Sequence, residues 1–287
     1  MPTSKGPDGA TACLALADGT LFYGVGFGAP GQTVAELCFN TAMTGYQEIM
    51  TDPSYAGQIV TFTFPHIGNT GVTPEDDETA DPVAAGMVVK WDPTEPSSWR
   101  MTEDLTTWLK RRGRVGIGGL DTRRLTRAIR QQGAPHVALA HNPDGMFDIE
   151  ALVAAAELAA EGVSVRVIHL HTIKPFDYKT ITAAARECGA IVTAEEHQIL
   201  GGMGSLVAQA VCKNHPVPVE HVGVTDTFGG SGEPDHLMDV FGLTSRFIVA
   251  QIRKVLARKA GTYNEVEPIT TVGRKGEAPA NYPKPLD

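Results

Sequence analysis

Four cysteines are the residues of this chain most suited to covalent catalysis. They are Cys13, Cys38, Cys188 and Cys212. A nucleophilic cysteine stands on a sharp turn between a strand and a helix, in a Gly-x-Cys-x-Gly context, with a histidine and a carboxylate later in the chain. None of the four has that context. Since a free cysteine is more often a small buried apolar residue than a nucleophile, we interpret all four as reduced, structural thiols.

Three histidines could bind a metal ion. His169 and His171 are two residues apart, so on a strand they would share a face, and His197 could complete the site. His-x-His is a short and common pattern, however. We therefore expect no metal ion at these residues.

A glycine-rich segment, residues 201–205 (GGMGS), lies between a predicted strand and a predicted helix. The N-terminus of a helix with close glycine approach can bind an anion. The alternative, which we favour, is a tight turn that lets the helix pack on the sheet, because no second phosphate-binding element is present. Glu195 and Glu196 precede His197 at the end of the strand, a usual place for active residues in α/β folds. They could instead be the remnant of an inter-domain contact.

Two charged clusters have competing interpretations. The acidic run at residues 75–78 could bind a cation, but such a run is more often a solvated loop, which we favour. The arginines of the predicted helix at 122–132 could dock an acidic partner, or they could be solvated and pair with local carboxylates, which we favour. The acidic run is Glu75, Asp76, Asp77 and Glu78, and the arginines are Arg123, Arg124, Arg127 and Arg130.

Hydrophobic periodicity predicts a mixed first half and a regularly alternating second half. In the first half we expect strands at 12–17, 20–25, 33–40, 59–64, 83–90, 117–120 and 137–140, and helices at 102–112 (capped by Thr102), 122–132 and 148–161. In the second half we expect strands at 163–170, 190–193 and 219–223, and helices at 178–188, 204–213, 234–241 and 244–259.

Residues 13–145 carry four long motifs in order: 39–48 (FNTAMTGYQE), 51–55 (TDPSY), 65–69 (PHIGN) and 121–127 (DTRRLTR). In these motifs the segment resembles the N-terminal domain of the carbamoyl-phosphate synthetase small subunit. The resemblance implies a scaffold domain that docks on the large, ATP-using subunit. In that family the glutamine chemistry belongs to a following amidotransferase domain, whose cysteine context this chain lacks.

Residues 157–259 carry the motifs 169–177 (HLHTIKPFD), 195–205 (EEHQILGGMGS) and 229–235 (GGSGEPD). Here the chain resembles the C-terminal domain of transketolase. The resemblance implies a structural unit that supports dimers, because thiamine diphosphate is bound between two other domains of that family. The Gly-Asp-Gly run that serves the diphosphate and its metal ion does not occur in this sequence.

The two resemblances meet inside the predicted helix at 148–161. The predicted strand at 137–140 would close the sheet of the first family, whereas the second family begins with a strand of its own. One strand rarely completes two sheets, so whichever sheet loses it is left with an unpaired edge. The independent folding of one half is therefore in question.

The composition bounds the function classes. The 287 residues suffice for two domains, and 42% hydrophobic with 20% charged residues is typical of globular proteins. A net charge of −9 argues against nucleic acid as a main partner. The polar N-terminal residues and the lack of a long apolar run predict no secretory signal and no membrane association. The four scattered cysteines suggest reduced thiols, so we expect a cytoplasmic protein.

We therefore expect an α/β protein in three parts. Residues 1–150 form a mixed α+β docking domain, residues 151–260 form a three-layer α/β/α domain with a mostly parallel sheet, and residues 261–287 form a flexible tail. We assign no catalytic, cofactor-binding or metal-binding residue and expect no cofactor.

The leading functional hypothesis is a fusion without catalysis of its own, of natural, engineered or accidental origin. One alternative is a subunit fragment that supports glutamine-dependent carbamoyl-phosphate synthesis with a large subunit. Another is a transketolase C-terminal section that acts with a separate N-terminal section or by self-association.

Overall fold

The computed structural model describes residues 4–227 and 229–263. These residues divide between Val167 and Ile168 into two compact units, each with its own core. The predicted tail at 261–287 lies mostly outside the described residues.

The first unit consists of nine strands and four α-helices with two short 3-10 turns. Its strands are β1 (Ser4–Lys5), β2 (Ala12–Leu16), β3 (Leu21–Gly28), β4 (Gly31–Asn40), β5 (Gln58–Phe62), β6 (Gly86–Val88), β7 (Val115–Gly118), β8 (His136–His141) and β9 (Met146–Phe147). Its helices are α1 (Tyr46–Thr51), α2 (Leu105–Arg111), α3 (Thr122–Gln132) and α4 (Ile149–Ala160), and the turns are Pro53–Tyr55 and Pro74–Asp76.

Seven of these strands form a closed barrel in the order β2-β3-β7-β6-β5-β4-β8. The β4, β5, β6 and β7 strands pair in parallel, and the remaining neighbours pair antiparallel. Strands β1 and β9 form a separate antiparallel pair. Closure leaves the barrel without a free edge, which is the most complete protection against edge-to-edge aggregation.

Along β2 and β8, successive side chains point alternately into two separate apolar cores, one inside the barrel and one on its outer face. Leu14 is paired with Leu139, and both side chains enter the barrel interior, which α3 covers through Leu125 and Ile129. The neighbouring pair, Cys13 and Ala140, points to the opposite face. The period of two residues in a strand thus assigns one face of each strand to the interior and the other to an outer layer.

The strand at 137–140 belongs to the barrel. It forms the centre of β8, which pairs with β2 on one side and with β4 on the other. Helix α4 packs on the outer face of β2 and β8, where Leu152 and Ala156 meet the small side chains of those strands. We expected a boundary at residue 150. Because α4 is buried against the barrel, the contacts of the chain divide it after Val167 instead.

Within its described residues, the second unit has two strands and four helices. They are α5 (Tyr178–Cys188), β10 (Ile191–Gln198), α6 (Met203–Asn214), β11 (Val219–Val224), α7 (Pro234–Val240) and α8 (Ser245–Lys259). Strands β10 and β11 pair in parallel. The helices α5 and α6 pack together against one face of this pair, and α8 contacts the opposite face. The unit therefore has the expected three layers, around a sheet of only two strands in the described residues.

The predicted strand at 163–170 is wrong. These residues, all of them described, form no strand, although Leu170 still packs against the core of the second unit. An apolar run becomes a strand only where it pairs with a neighbour through backbone hydrogen bonds. Strand β8 is already paired on both sides within the barrel, and the segment pairs with neither β10 nor β11.

The predicted cap of the second helix is also wrong. Thr102 does not cap α2, because its hydroxyl donates to the Val72 carbonyl at 3.0 Å. Asp104 caps it instead by accepting from the Thr107 backbone N–H at 2.9 Å. Aspartates at the N-caps of α3, α4 and α5 act in the same way.

Among the helices that the structure describes, none combines the length and apolar composition needed to cross a bilayer.

We expect Leu139→Ala to destabilise the first unit by about 2–5 kcal/mol, because Leu139 is fully buried in the barrel interior. All three tryptophans of the chain lie between residues 91 and 108, so tryptophan fluorescence during urea unfolding reports on this unit. Met43→Ala is the control, since that side chain is 70% exposed and its loss should cost no more than about 0.5 kcal/mol. Equal midpoints for the two variants would contradict a closed, packed barrel.

Candidate functional site

Two of the four cysteines, Cys13 and Cys38, have thiols whose pKa values are raised. Burial raises the pKa of the Cys13 thiol in β2 to about 12. Burial and the charge of Glu36 raise the pKa of Cys38 in β4 to about 11. Such thiols stay protonated, whereas a nucleophile needs a lowered pKa. Cys188 ends α5 and Cys212 lies on the exposed side of α6, and all four are free thiols.

The three histidines do not form a metal site. The ring centroids of His169 and His171 lie 5.6 Å apart, and these residues are not on a strand. His197 is exposed, with its Nδ1 atom 2.9 Å from the Gln198 carbonyl oxygen. Within the described ranges, no group of three or more histidine, cysteine, aspartate or glutamate side chains could hold a metal ion.

The acidic segment at 75–78 is paired with arginines from other parts of the first unit. Asp76 accepts from Arg100 at 2.8 Å, and Asp77 lies 3.5 Å from Arg112. The Gln47 amide also donates to Asp77 at 2.7 Å. These pairs fix the loop to the barrel and take up carboxylate oxygens that a cation would need.

The glycine-rich segment at 201–205 begins α6. The anionic group at this helix N-terminus is a carboxylate of the protein itself, that of Glu195. Glu195 on β10 is buried, and its carboxylate accepts from the backbone N–H of Met203 at 2.6 Å and of Gly204 at 2.8 Å. These are first-turn donors that have no partner within the helix. A negative charge there is also favoured by the helix dipole. An external anion would have to displace this carboxylate.

The glycines of this turn make room for Glu195. A Cβ atom on Gly202 would lie 2.3 Å from Glu195 Oε2, and one on Gly204 would lie 2.6 Å from His221 Nδ1. His221 on β11 faces the same turn, with Nδ1 2.7 Å from the Thr193 hydroxyl. The glycine pattern therefore serves the close approach of a buried carboxylate to a helix N-terminus.

On the opposite face of the sheet, Glu220 forms an ion cluster that the sequence patterns did not reveal. Lys254 Nζ lies 3.2 Å from Glu220 Oε2, and an Arg258 guanidinium nitrogen lies 2.8 Å from Oε1. Lys254 and Arg258 are four residues apart on α8, so their side chains lie on the same face of the helix. This spacing was the sequence signal for a shared acidic partner. The cluster joins α8 to β11 and has a structural role.

The arginine face of α3 differs from the prediction. It consists of four exposed side chains: Arg123, Arg124, Arg127 and Arg130. They are solvated, as the favoured interpretation predicts, but none of them forms an ion pair within the described part of the chain, so the predicted pairing with local carboxylates is wrong. Arg124 lies over the Phe22 ring and Arg130 over the Phe39 ring, each with its guanidinium carbon 5.2 Å from the ring centroid.

Helix α3 has this face because its two sides differ in composition. Thr122, Leu125, Thr126 and Ile129 are buried. Asp121, the first residue of the DTRRLTR motif, caps the helix by accepting from the Arg124 backbone N–H at 3.0 Å. The apolar side anchors the helix on the barrel, and the charged side is left to solvent.

We expect Gly204→Ala to destabilise the second unit, although helix propensity alone predicts a gain of about 1 kcal/mol. The added methyl group must displace His221 or the Glu195 carboxylate, at a cost of about 1–3 kcal/mol. Hydrogen exchange of the α6 amides measures the effect. Gly229→Ala is the control because a Cβ atom there meets nothing within 4 Å. Slower exchange of α6 in Gly204→Ala would contradict this account.

We also expect the second unit to lose stability as the pH falls through about 6.5. Burial lowers the pKa of His221 below its usual value of 6.5, against the opposing charges of Glu220 and Glu195. The unfolded chain then binds a proton that the folded chain does not, so stability is complete above pH 6.5 and declines below it. Urea unfolding followed by circular dichroism at about pH 7.5 and about pH 5.5, on either side of the usual histidine pKa, measures this difference.

The control for the pH experiment is His221→Asn, which should reduce the pH dependence of the second unit. His141 in the first unit also has its pKa lowered by burial, so the tryptophan signal separates the contribution of that unit. An unchanged pH dependence in His221→Asn would contradict the assignment to His221.

Two family models match the chain in succession. Residues 14–139 match the carbamoyl-phosphate synthase small chain, CPSase domain, and residues 145–248 match the transketolase C-terminal domain. The chain is 84% identical over 146 residues to the carbamoyl phosphate synthase small chain of Ruegeria pomeroyi and 57% identical over 151 residues to that of Agrobacterium fabrum. Each match covers 51% of this chain and 38% of the relative, so the chain spans well under half the length of either protein.

Among known structures, the chain is similar to one described as a split gene transketolase, inactive beta4 tetramer. That likeness has 24% identity, covers 78% of this chain and 77% of the other, and has a TM-score of 0.39, which is too low to support a structural argument. The two family models therefore match successive segments of the chain, a carbamoyl-phosphate synthase small-chain domain model followed by a transketolase C-terminal domain model.

Proposed function

We propose that the chain is a docking protein without catalysis of its own, and that its first unit binds the large chain of a carbamoyl-phosphate synthase. The observation that carries this proposal is the completeness of the barrel. Strand β8 closes it from both sides, and α4 covers its outer face. A domain with its fold intact retains the surface through which its relatives would meet a large chain.

The chemistry of the chain supports the non-catalytic part of the proposal. The thiols of Cys13 and Cys38 are held protonated, and no cysteine stands in the Gly-x-Cys-x-Gly context that activates a nucleophile. The carboxylate of Glu195 is engaged with the backbone of α6. We accordingly assign no catalytic residue and no cofactor site. The free thiols favour a reducing, cytoplasmic compartment.

The docking unit of our proposal extends through α4 to Val167. Helix α4 lies within the segment that matches the transketolase model, yet its buried face contacts barrel strands. The second unit has a two-stranded sheet in the described residues, and residues 163–170 pair with neither strand. We therefore do not extend the proposal to ketol transfer with a separate transketolase section.

Co-elution in size-exclusion chromatography tests the docking function. The purified chain should co-elute with the large chain of the Ruegeria pomeroyi synthase at low salt concentration. The intact small chain of that organism is the matched competitor, and it should displace this chain because both would use the same barrel surface. A complex that survives excess small chain would be non-specific, and the lack of any complex at low salt would contradict the proposal.

Activity assays test the non-catalytic part separately. The purified chain should show no glutamine hydrolysis, and none should appear when the large chain is added. It should also show no ketol transfer when thiamine diphosphate and a divalent cation are supplied. Glutaminase or ketol-transfer activity that co-purifies with the chain and is lost when the chain is removed would contradict it.

A further inference from the structure

The arginine face of α3 presents four exposed basic side chains within eight residues, 123–130. At about 100° per residue, Arg123, Arg127 and Arg130 fall within roughly 60° of arc along about 10 Å of the helix. Arg124 lies about 60° outside this stripe, on the side of Arg127. Four guanidinium groups therefore point to solvent from two turns of one helix.

This face stands out from the charge balance around it. Residues 1–150 contain 11 of the 24 basic and 18 of the 33 acidic residues, a net charge of −7. Other arginines of the unit are used internally: Arg100, Arg111 and Arg112 pair with acidic side chains. The four arginines of α3 keep their charges uncompensated although acidic residues are abundant in the same unit.

Two of the four are held in place. Arg124 lies over the ring of Phe22, which is buried in the barrel core, and Arg130 lies over the ring of Phe39, which packs against that core. Cation–π contact limits the freedom of a long side chain, so less entropy is lost when the guanidinium meets a ligand. A preorganised guanidinium can bind a carboxylate with two parallel hydrogen bonds.

We infer that the arginine face binds an acidic protein surface whose carboxylates follow a helical spacing of i, i+4 and i+7. This inference rests on the proposed function in one respect, since it assigns the face to the docking of the large chain. Protein is favoured over nucleic acid because a net charge of −7 around a stripe of about 10 Å would repel a longer polyanion. Opposite charge across a docking face raises the association rate and fixes the register of the partners.

The test compares two double variants with the same change in net charge. Arg123→Glu with Arg127→Glu reverses the centre of the face, and a glutamate at position 123, in the first turn of α3, is compatible with the helix dipole. Lys5→Glu with Lys110→Glu is the matched control, because both lysines are exposed and lie on β1 and α2. Circular dichroism and the urea midpoint should show that both variants fold as the wild type does.

Binding is measured to the Ruegeria pomeroyi large chain and to a synthetic helical peptide with glutamates at i, i+4 and i+7. We expect the arginine variant to bind each about tenfold or more weakly at low salt, with a smaller salt dependence, and the lysine variant to stay within about twofold of wild type. Large-chain binding that is equal in both variants would overturn the inference and leave the proposed docking intact.

Two further outcomes separate the inference from the proposed function. If the wild type does not bind the large chain, the proposed function fails, and the peptide alone decides whether the face recognises acidic protein. If the wild type does not bind the peptide, or binds an RNA duplex of similar length more tightly through the same arginines, the inference is overturned.

Discussion

The structure depends on a constraint of backbone hydrogen bonding: a strand has two edges, and each can be paired once. Strand β8 gives one edge to β2 and the other to β4, which closes the barrel. Leu139 and Val137 then fill the interior, while Ala138 and Ala140 face α4. Every feature of the first unit that we connect with docking rests on this closure, because α3 is seated on the core that β8 completes.

The same constraint shapes the segment of the chain after β8. Helix α4 has an alanine-rich face that fits the small outward side chains of β2 and β8, so it continues the barrel unit rather than starting the next one. The apolar run at 163–170 predicts a strand, but these residues lie outside any ladder. In the second unit, one buried glutamate lies on each face of the sheet. Glu195 accepts hydrogen bonds from the N-terminus of α6, and Glu220 forms ion pairs with α8.

Much of this could be predicted from the sequence, and the errors have physical causes. Local signals located most helices and the strands from β2 to β5, because periodicity and capping act between near neighbours. The missing strand at 163–170 and the cap at Asp104 were mispredicted, because strand formation needs a distant partner and Thr102 had a competing backbone acceptor in Val72. At the candidate sites, the glycines at 201–205 correctly indicated a turn that could hold an anionic group. The sequence pattern did not show that this group is the carboxylate of Glu195, on the preceding strand. The unpaired state of the α3 arginines depends on which carboxylates fold near them, which no spacing in the sequence reveals.

Limited proteolysis with mass spectrometry tests the central claim most directly, because it shows where the first unit ends. If β8 and α4 both belong to the barrel, the resistant fragment should extend from near residue 4 to between residues 161 and 167, with α4 retained. Early cleavage between residues 141 and 148, releasing α4 with the second unit, would contradict the claim that α4 is part of a complete docking unit.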